Sequence, residues 1–540
     1  MLLLYSFLTV SGFAQEIKPK VKIGKDTTYI DGPLTEDGYV DYLGGLNQIL
    51  SRGVTPENNA AVLLLKASPA EFRGNEKYLK HYCKALGIKP IPLQGDYFQT
   101  LKEFSDQEVR NRSKGASTSK QTSELRESIQ KDYATAGAAP WKKEEIPSMA
   151  KWVKGNERHL ALLQKASMRS HYYHPMLDAG DGEGPSVVQA LLPQAQQARS
   201  FARALGVRSM MYLGEGEITK CTKDLIAIRR LGNHIAKGAT LVEQLVGIAI
   251  VGLAQNLEQK MALSERLSTK QLLEYRRTID QNRVQSSMVR AVSGCERFMY
   301  LDCVQYLMKG GFSDLNGFLG LNDSLIGSGK EQTLMQELVD KFVSQSTDWS
   351  FTMKLGNQVF DKYEKTFQQT TDWIEQQKAL KEIEKEIQQL AIKTPTVDLL
   401  LKGLLGGPEV RGEIVGQFLV ALVLPAFSKT ASAEKRALVM DDLSFIVISA
   451  AAHKIEMGDY PTSINGFSKK IVGQLPIDRY AKAAYHYRRE GKGFVVYSVG
   501  PNQKDEQGNG VYNERHSVGD DYGAGYESVP LNLKNNGLFR

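Results

Sequence analysis

The sequence predicts a mainly α-helical chain, built as helical hairpins or a bundle, that ends in a small α+β domain containing an antiparallel sheet. Three observations carry this expectation. Apolar residues recur at helical spacing from Ile146 to about Gly403. A breaker-rich joint, GLLGGPEVRG, follows at Gly403–Gly412. Near the end, AAYHYRREGKGFVVYSVG (Ala483–Gly500) alternates as two strands of a hairpin turning at Gly491–Gly493.

The elements follow in order. Residues 1–14 combine an apolar run, Leu2–Val10, with small residues at Gly12 and Ala14, which predicts a secretory signal. The run is shorter than the roughly 20 residues a membrane span needs, so no stable span is expected after cleavage. The expected location is exported: periplasm, cell envelope or secreted. Residues 15–109 read as a mostly helical region, with a break at Gly53–Pro56 and Thr55-Pro56-Glu57 opening the second of two short helices. Residues 110–145, rich in Ser, Thr, Lys, Gln and Ala, read as a polar linker.

Residues 146–403 form the predicted helical domain. Arg199–Gly238 reads as an antiparallel helix pair turning at Gly214–Gly216. Thr240 with Glu243 three residues on is a capping box. The apolar helix behind it is interrupted by Glu243, Gln244 and Gln255, so it reads as a buried core helix rather than a membrane span. Phe360–Lys393 reads as one long amphipathic helix whose acids and lysines pair at helical spacing. It is expected to pack on the bundle, with a partner-binding coiled coil as the alternative. Residues 404–540 form the last unit, helical to about Glu456 and β-rich beyond.

The hydrophobic share of 42% and the charged share of 24% are those of a folded globular protein. Lys and Arg number 68 against 61 Asp and Glu, a net charge of +7 over 540 residues, and no basic cluster gathers it. That dispersion argues against a nucleic-acid partner. The four cysteines, Cys83, Cys221, Cys295 and Cys303, form no zinc framework. Cys295 and Cys303 stand about 12 Å apart along a helix, too far for a disulfide. A bridge involving Cys83 or Cys221 stays open.

The segment from about Ala421 onward resembles the major pseudopilin of type II secretion systems. The matching residues are Gly458, Tyr460, Pro461 and Thr462, then Leu475, Pro476 and Asp478, then Tyr497, Ser498, Val499 and Gly500. The resemblance covers roughly the last 120 residues. The apolar helix differs from the family's in being internal. The rest of the chain looks like a family of exported bacterial proteins sharing this tail. The resemblance implies a calcium ion in the loop after YS-V-G. Calcium takes six to eight oxygen ligands. Asn502 falls where the family places its first Asp, Asp505 follows three residues on, and Asp520 and Asp521 fall at the later Asp pair. The alternative is an Asx-rich turn without an ion.

Other motifs carry less. An EF-hand at Asp505 fails because its twelfth position is His516. His171, His174, Asp178 and Asp181 suggest a metal site, but Pro175 and the glycines favour a structural loop. Ser117 and Lys120 match a β-lactamase fragment without its companion motifs. No catalytic or cofactor-binding residue is assigned. The expected function is a non-enzymatic structural or interaction role in the cell envelope, with envelope or secretion-system proteins as partners. One alternative is a component or client of a type II secretion-like apparatus. The other is an enzyme whose site is assembled from scattered residues.

Overall fold

The computed structural model describes residues 21–112, 119–178, 186–190, 192–285, 287–309, 346–390, 397–423, 427–508 and 522–526. Its α-helices are α1 (Tyr42–Leu50), α2 (Ala60–Ala67), α3 (Glu76–Ala85), α4 (Leu101–Arg112), α5 (Ser119–Ala138), α6 (Pro147–Gly155), α7 (Glu157–Ser167), α8 (Ser186–Gln189), α9 (Pro193–Gly214) and α10 (Ile218–Ala236). They continue as α11 (Leu241–Leu263), α12 (Thr269–Gln281), α13 (Met288–Ala291), α14 (Arg297–Met308), α15 (Trp349–Gln369), α16 (Trp373–Leu390), α17 (Val397–Leu405), α18 (Gly407–Val423), α19 (Phe427–Met457) and α20 (Lys469–Val472). The strands are β1 (Ile477–Asp478), β2 (Ala483–Ala484), β3 (His486–Glu490), β4 (Gly493–Ser498) and β5 (Tyr522–Tyr526). β1 and β2 pair with each other, and β3-β4-β5 form an antiparallel sheet with Ser498 opposite Tyr522.

The mainly helical class and the small antiparallel sheet agree with the sequence reading. The α9–α10 hairpin turns where Gly214–Gly216 predicts, with Gly216 at a φ of +76°. Thr240 and Glu243 close both halves of the capping box of α11. α10 and α11 cross closely because Gly232 and Gly247 meet: a Cβ on Gly247 would lie 2.5 Å from the Gly232 carbonyl oxygen.

Other expectations need correction. The polar stretch 110–145 is not a linker through its length, since Ser119–Ala138 is a 20-residue helix. Ile129 and Ala136 of that helix enter the main core. The long helix expected over Phe360–Lys393 is two, α15 and α16. They break at Thr370, whose backbone is extended, and Asp372 accepts from the backbone N–H groups of Ile374 and Glu375 to start the second. Thr55-Pro56-Glu57 forms a turn, and α2 begins at Ala60 under an Asn59 cap. All four cysteines are free and buried.

Two large apolar cores organise the chain. The first gathers α6, α7 and α9–α12 with the C-terminal strands. The second gathers α1, α14, α15, α16 and α18. Helix α19, 31 residues and roughly 46 Å long by helical rise, takes part in both. Phe427 and Ala431 sit in the second core, and Val439 to Ala452 run through the first. The helix is therefore buried on almost every side, and α19 and β4 share their interior with the helical body.

Polar side chains lock this helix in place. The fully buried Arg229 on α10 donates from Nε and Nη2 to both carboxylate oxygens of Glu258, at 2.9 and 2.6 Å, and from Nη1 to Asp441 of α19 at 2.6 Å. Gln255 and the Val284 N–H also donate to Asp441, and the Tyr275 hydroxyl donates to Glu258. Next door, Asp442 accepts from Arg283 and from Tyr485. Burial of an ion pair is repaid only when every charge is met. Replacing Arg229 with Met strands two buried carboxylates and is expected to cost about 3 kcal/mol or more, read by urea unfolding. Adding Glu258→Gln and Asp441→Asn is expected to recover part of the loss, a coupling that independent sites would not show.

Candidate functional site

Several residues of the Gly458–Gly500 segment have a definable physical task in the C-terminal module. Gly458, at a φ of +85°, takes the left-handed conformation that ends α19. Tyr460 is buried against Phe494, ring centres 4.8 Å apart. Arg489 of β3 binds the Asp459 carboxylate and the Tyr460 carbonyl, fastening the helix end to the sheet. Asp478 is fully buried: one oxygen accepts from the Tyr480 N–H and the other from the Val499 N–H. It ties the β1 segment to the start of the loop that leaves β4. Ser498 Oγ accepts from the Gly500 N–H, and Gly500 adopts a φ of +66°.

The loop from Val499 to Gly508 holds two of the four expected metal ligands. Asn502 Oδ1 accepts from the Lys504 N–H, and its Nδ2 donates to Glu506. Asp505 Oδ1 accepts from the Tyr497 hydroxyl at 2.9 Å and from the Gln507 N–H at 2.8 Å. Its Oδ2 lies 3.4 Å from His486 Nδ1. Partial burial pushes this carboxyl upward, but the Gln507 N–H, the Tyr497 hydroxyl, His486 and Arg488 outweigh burial and hold it below the usual range. Asp505 is thus an ionised, half-exposed carboxylate with one oxygen in hydrogen bonds along the loop.

Asp520 and Asp521 lie outside the described residues. The strand that follows them begins opposite Ser498, the residue that leads into the loop. Among the described residues no group of three or more His, Cys, Asp or Glu side chains is arranged to hold a metal. Asn502 and Asp505 instead spend oxygens on hydrogen bonds to Lys504, Tyr497 and Gln507, and Glu506, unnoticed in the sequence, accepts from Asn502.

The histidine-rich segment resolves differently. His171 is exposed beside Ser170, whereas His174 is buried with Nε2 2.7 Å from Glu243 Oε1. Asp178 bridges to Ala190, and Asp181 lies outside the described residues. Ser117 also lies outside them, while Lys120 sits on α5. Glu243 and Glu296 both serve the N-terminus of α11, Glu243 through Thr240 and Glu296 through the Leu241 N–H at 3.0 Å. Carboxylates suit the positive end of a helix, so this cluster caps α11 and anchors the 171–177 segment to it. The capping box is visible in the sequence; the partnership with His174 and Glu296, 69 and 55 residues distant, is not.

No family model, curated protein or solved structure matches the chain.

Burial pushes Glu296 up to about 7, against the opposing pull of the Leu241 N–H. The folded chain then holds a proton that the unfolded chain has released, from the ordinary glutamate range up to about pH 7. Stability falls as pH rises through that window. Glu296→Gln keeps an acceptor for Leu241 and removes the proton. Unfolding free energies at pH 5 and pH 8 are expected to fall less in the variant than in the parent. Equal falls would contradict the assignment.

Proposed function

We propose that this chain is an exported, non-enzymatic structural or interaction protein of the cell envelope, presenting a pseudopilin-like module on a helical body. The observation that carries the reading is α19. It runs through both cores of the body and delivers its C-terminal end to the β3-β4-β5 sheet. A module fastened in this way is a rigid extension of the body rather than a tethered domain. The partners proposed for it are envelope or secretion-system proteins.

Calcium is proposed as the ion that fixes the loop after β4, with Asn502, Asp505, Asp520 and Asp521 as its side-chain ligands. The ionised Asp505 carboxylate and the strand pairing of Ser498 with Tyr522 support this. Calcium would neutralise the acidic side chains of this loop.

The test uses the full chain, because α19 buries its apolar surface against α11 and α12. Saturating calcium is expected to raise the melting temperature by a few degrees over the EDTA-treated protein, as mass action requires of an ion bound by the folded state alone. Asp505→Ala is expected to abolish that increment. In pull-downs from envelope extracts, the native loop is expected to enrich envelope or secretion proteins over a scrambled 499–508 loop. Melting unmoved by either treatment removes the ion, and retention equal to the scrambled control removes the partner role.

A further inference from the structure

The net charge of +7 is dispersed along the sequence, but the fold gathers part of it on the outward side of α10. Lys223, Arg230 and Lys237 recur at every seventh residue, nearly two helical turns. They therefore stand on one line, roughly 20 Å long by helical rise. Arg290 of α13 joins its end, where Nη1 donates to the Lys237 carbonyl at 3.1 Å. Lys223, Lys237 and Arg290 are exposed, and Arg230 is half-buried.

Among the described residues none of these four forms an ion pair, and their side-chain bonds run to neutral groups. Arg230 donates from Nε to Asn282 Oδ1 at 2.9 Å and from Nη1 to the Met168 sulfur. The cations that flank the line differ: Lys220 pairs with Glu217, and Arg283 pairs with Asp280 and Asp442. His234, buried between Arg230 and Lys237 on the same helix, feels the uncompensated field. Burial pushes it down to about 4, and Lys237 and Arg230 push in the same direction. Partial burial and Arg290 hold Lys237 itself below the usual lysine range. The C-terminus of a helix favours cations, which accounts for Lys237 and Arg290. Lys223 and Arg230 lie outside that last turn and have no such explanation.

We propose that the outward side of α10 docks on an anionic phospholipid surface. Cations spread along a convex helix match a flat array of repeated headgroups, whereas one small anion needs a concave site. Met168, 67% exposed and in contact with Arg230, supplies an apolar side chain to the headgroup layer. This face is independent of the calcium loop and of the envelope role.

Flotation of the full chain with lipid vesicles tests it, in EDTA so that the loop after β4 takes no part. Vesicles of phosphatidylcholine with about a third phosphatidylglycerol are expected to carry the chain, and pure phosphatidylcholine is not. Raising the salt from about 0.05 to about 0.5 M is expected to release it, because screening shortens the reach of each charge. Each cation removed is expected to weaken binding roughly fivefold, so Lys223→Gln with Arg290→Gln costs about twenty-five-fold. If the Arg290 change lowers the melting temperature, Lys223→Gln with Lys237→Gln makes the same charge change. Lys80→Gln with Lys84→Gln, at exposed positions on α3, is expected to cost far less. Equal binding to both vesicle types overturns the proposal. So does an equal loss in the α10 and α3 pairs, which marks a net-charge effect without a docking face. Tighter binding of a single-stranded oligonucleotide than of the anionic vesicles overturns it in favour of a nucleic acid.

Discussion

The seating of α19 between α10 and α11 depends on one buried guanidinium. Arg229 is enclosed by α10, α11 and α19 and satisfies Glu258 and Asp441 at once. In a low-dielectric interior an unmet charge costs several kcal/mol, so these three groups have few alternative arrangements. The requirement sets the rotation of α19, because turning it moves Asp441 away from Arg229. It also sets the position of Asp442, which then meets Arg283 on one side and Tyr485 of the C-terminal module on the other. Hydrophobic burial would hold α19 in the body in several registers; the ionic contacts select one.

From that selection the position of the C-terminal sheet follows. Gly458 ends the helix, Arg489 clasps the turn beyond it, and Asp478 fixes where the loop after β4 begins. Gly458, Asp478 and Arg489 thus act as fasteners between helix, strand and loop. Burial of polar groups on this scale is affordable because they satisfy one another. Gln259 meets Ser444, and Arg276 meets Ser449 while lying over the Phe445 ring.

Much of the architecture was legible where the signal is local. The capping box at Thr240, the turn at Gly214–Gly216 and the hairpin at Gly491–Gly493 depend on neighbouring residues, and all three appear as expected. Helix α5 was hidden because its apolar stripe is thin: Leu125, Ile129, Tyr133 and Ala136 keep helical spacing within a composition typical of linkers. The break between α15 and α16 depends on Asp372 capping a new start, which the surrounding amphipathic pattern masks. The pairing of Arg229 with Asp441 spans 212 residues and could not be read at all. Of the candidate loop, its wealth of Asn, Asp and Glu is readable, whereas the engagement of Asp505 by Tyr497 and His486 requires the sheet.

The central claim is that α19 belongs to the same cooperative interior as α10 and α11. Native-state hydrogen exchange across the 441–452 amides measures this directly. The structure predicts that these amides exchange only through global unfolding, with the same opening free energy as the amides of α11 and the same loss on replacing Arg229. Exchange of 441–452 through a cheaper opening, while α11 stays protected, would show instead that α19 and the sheet form a separate unit resting on the body.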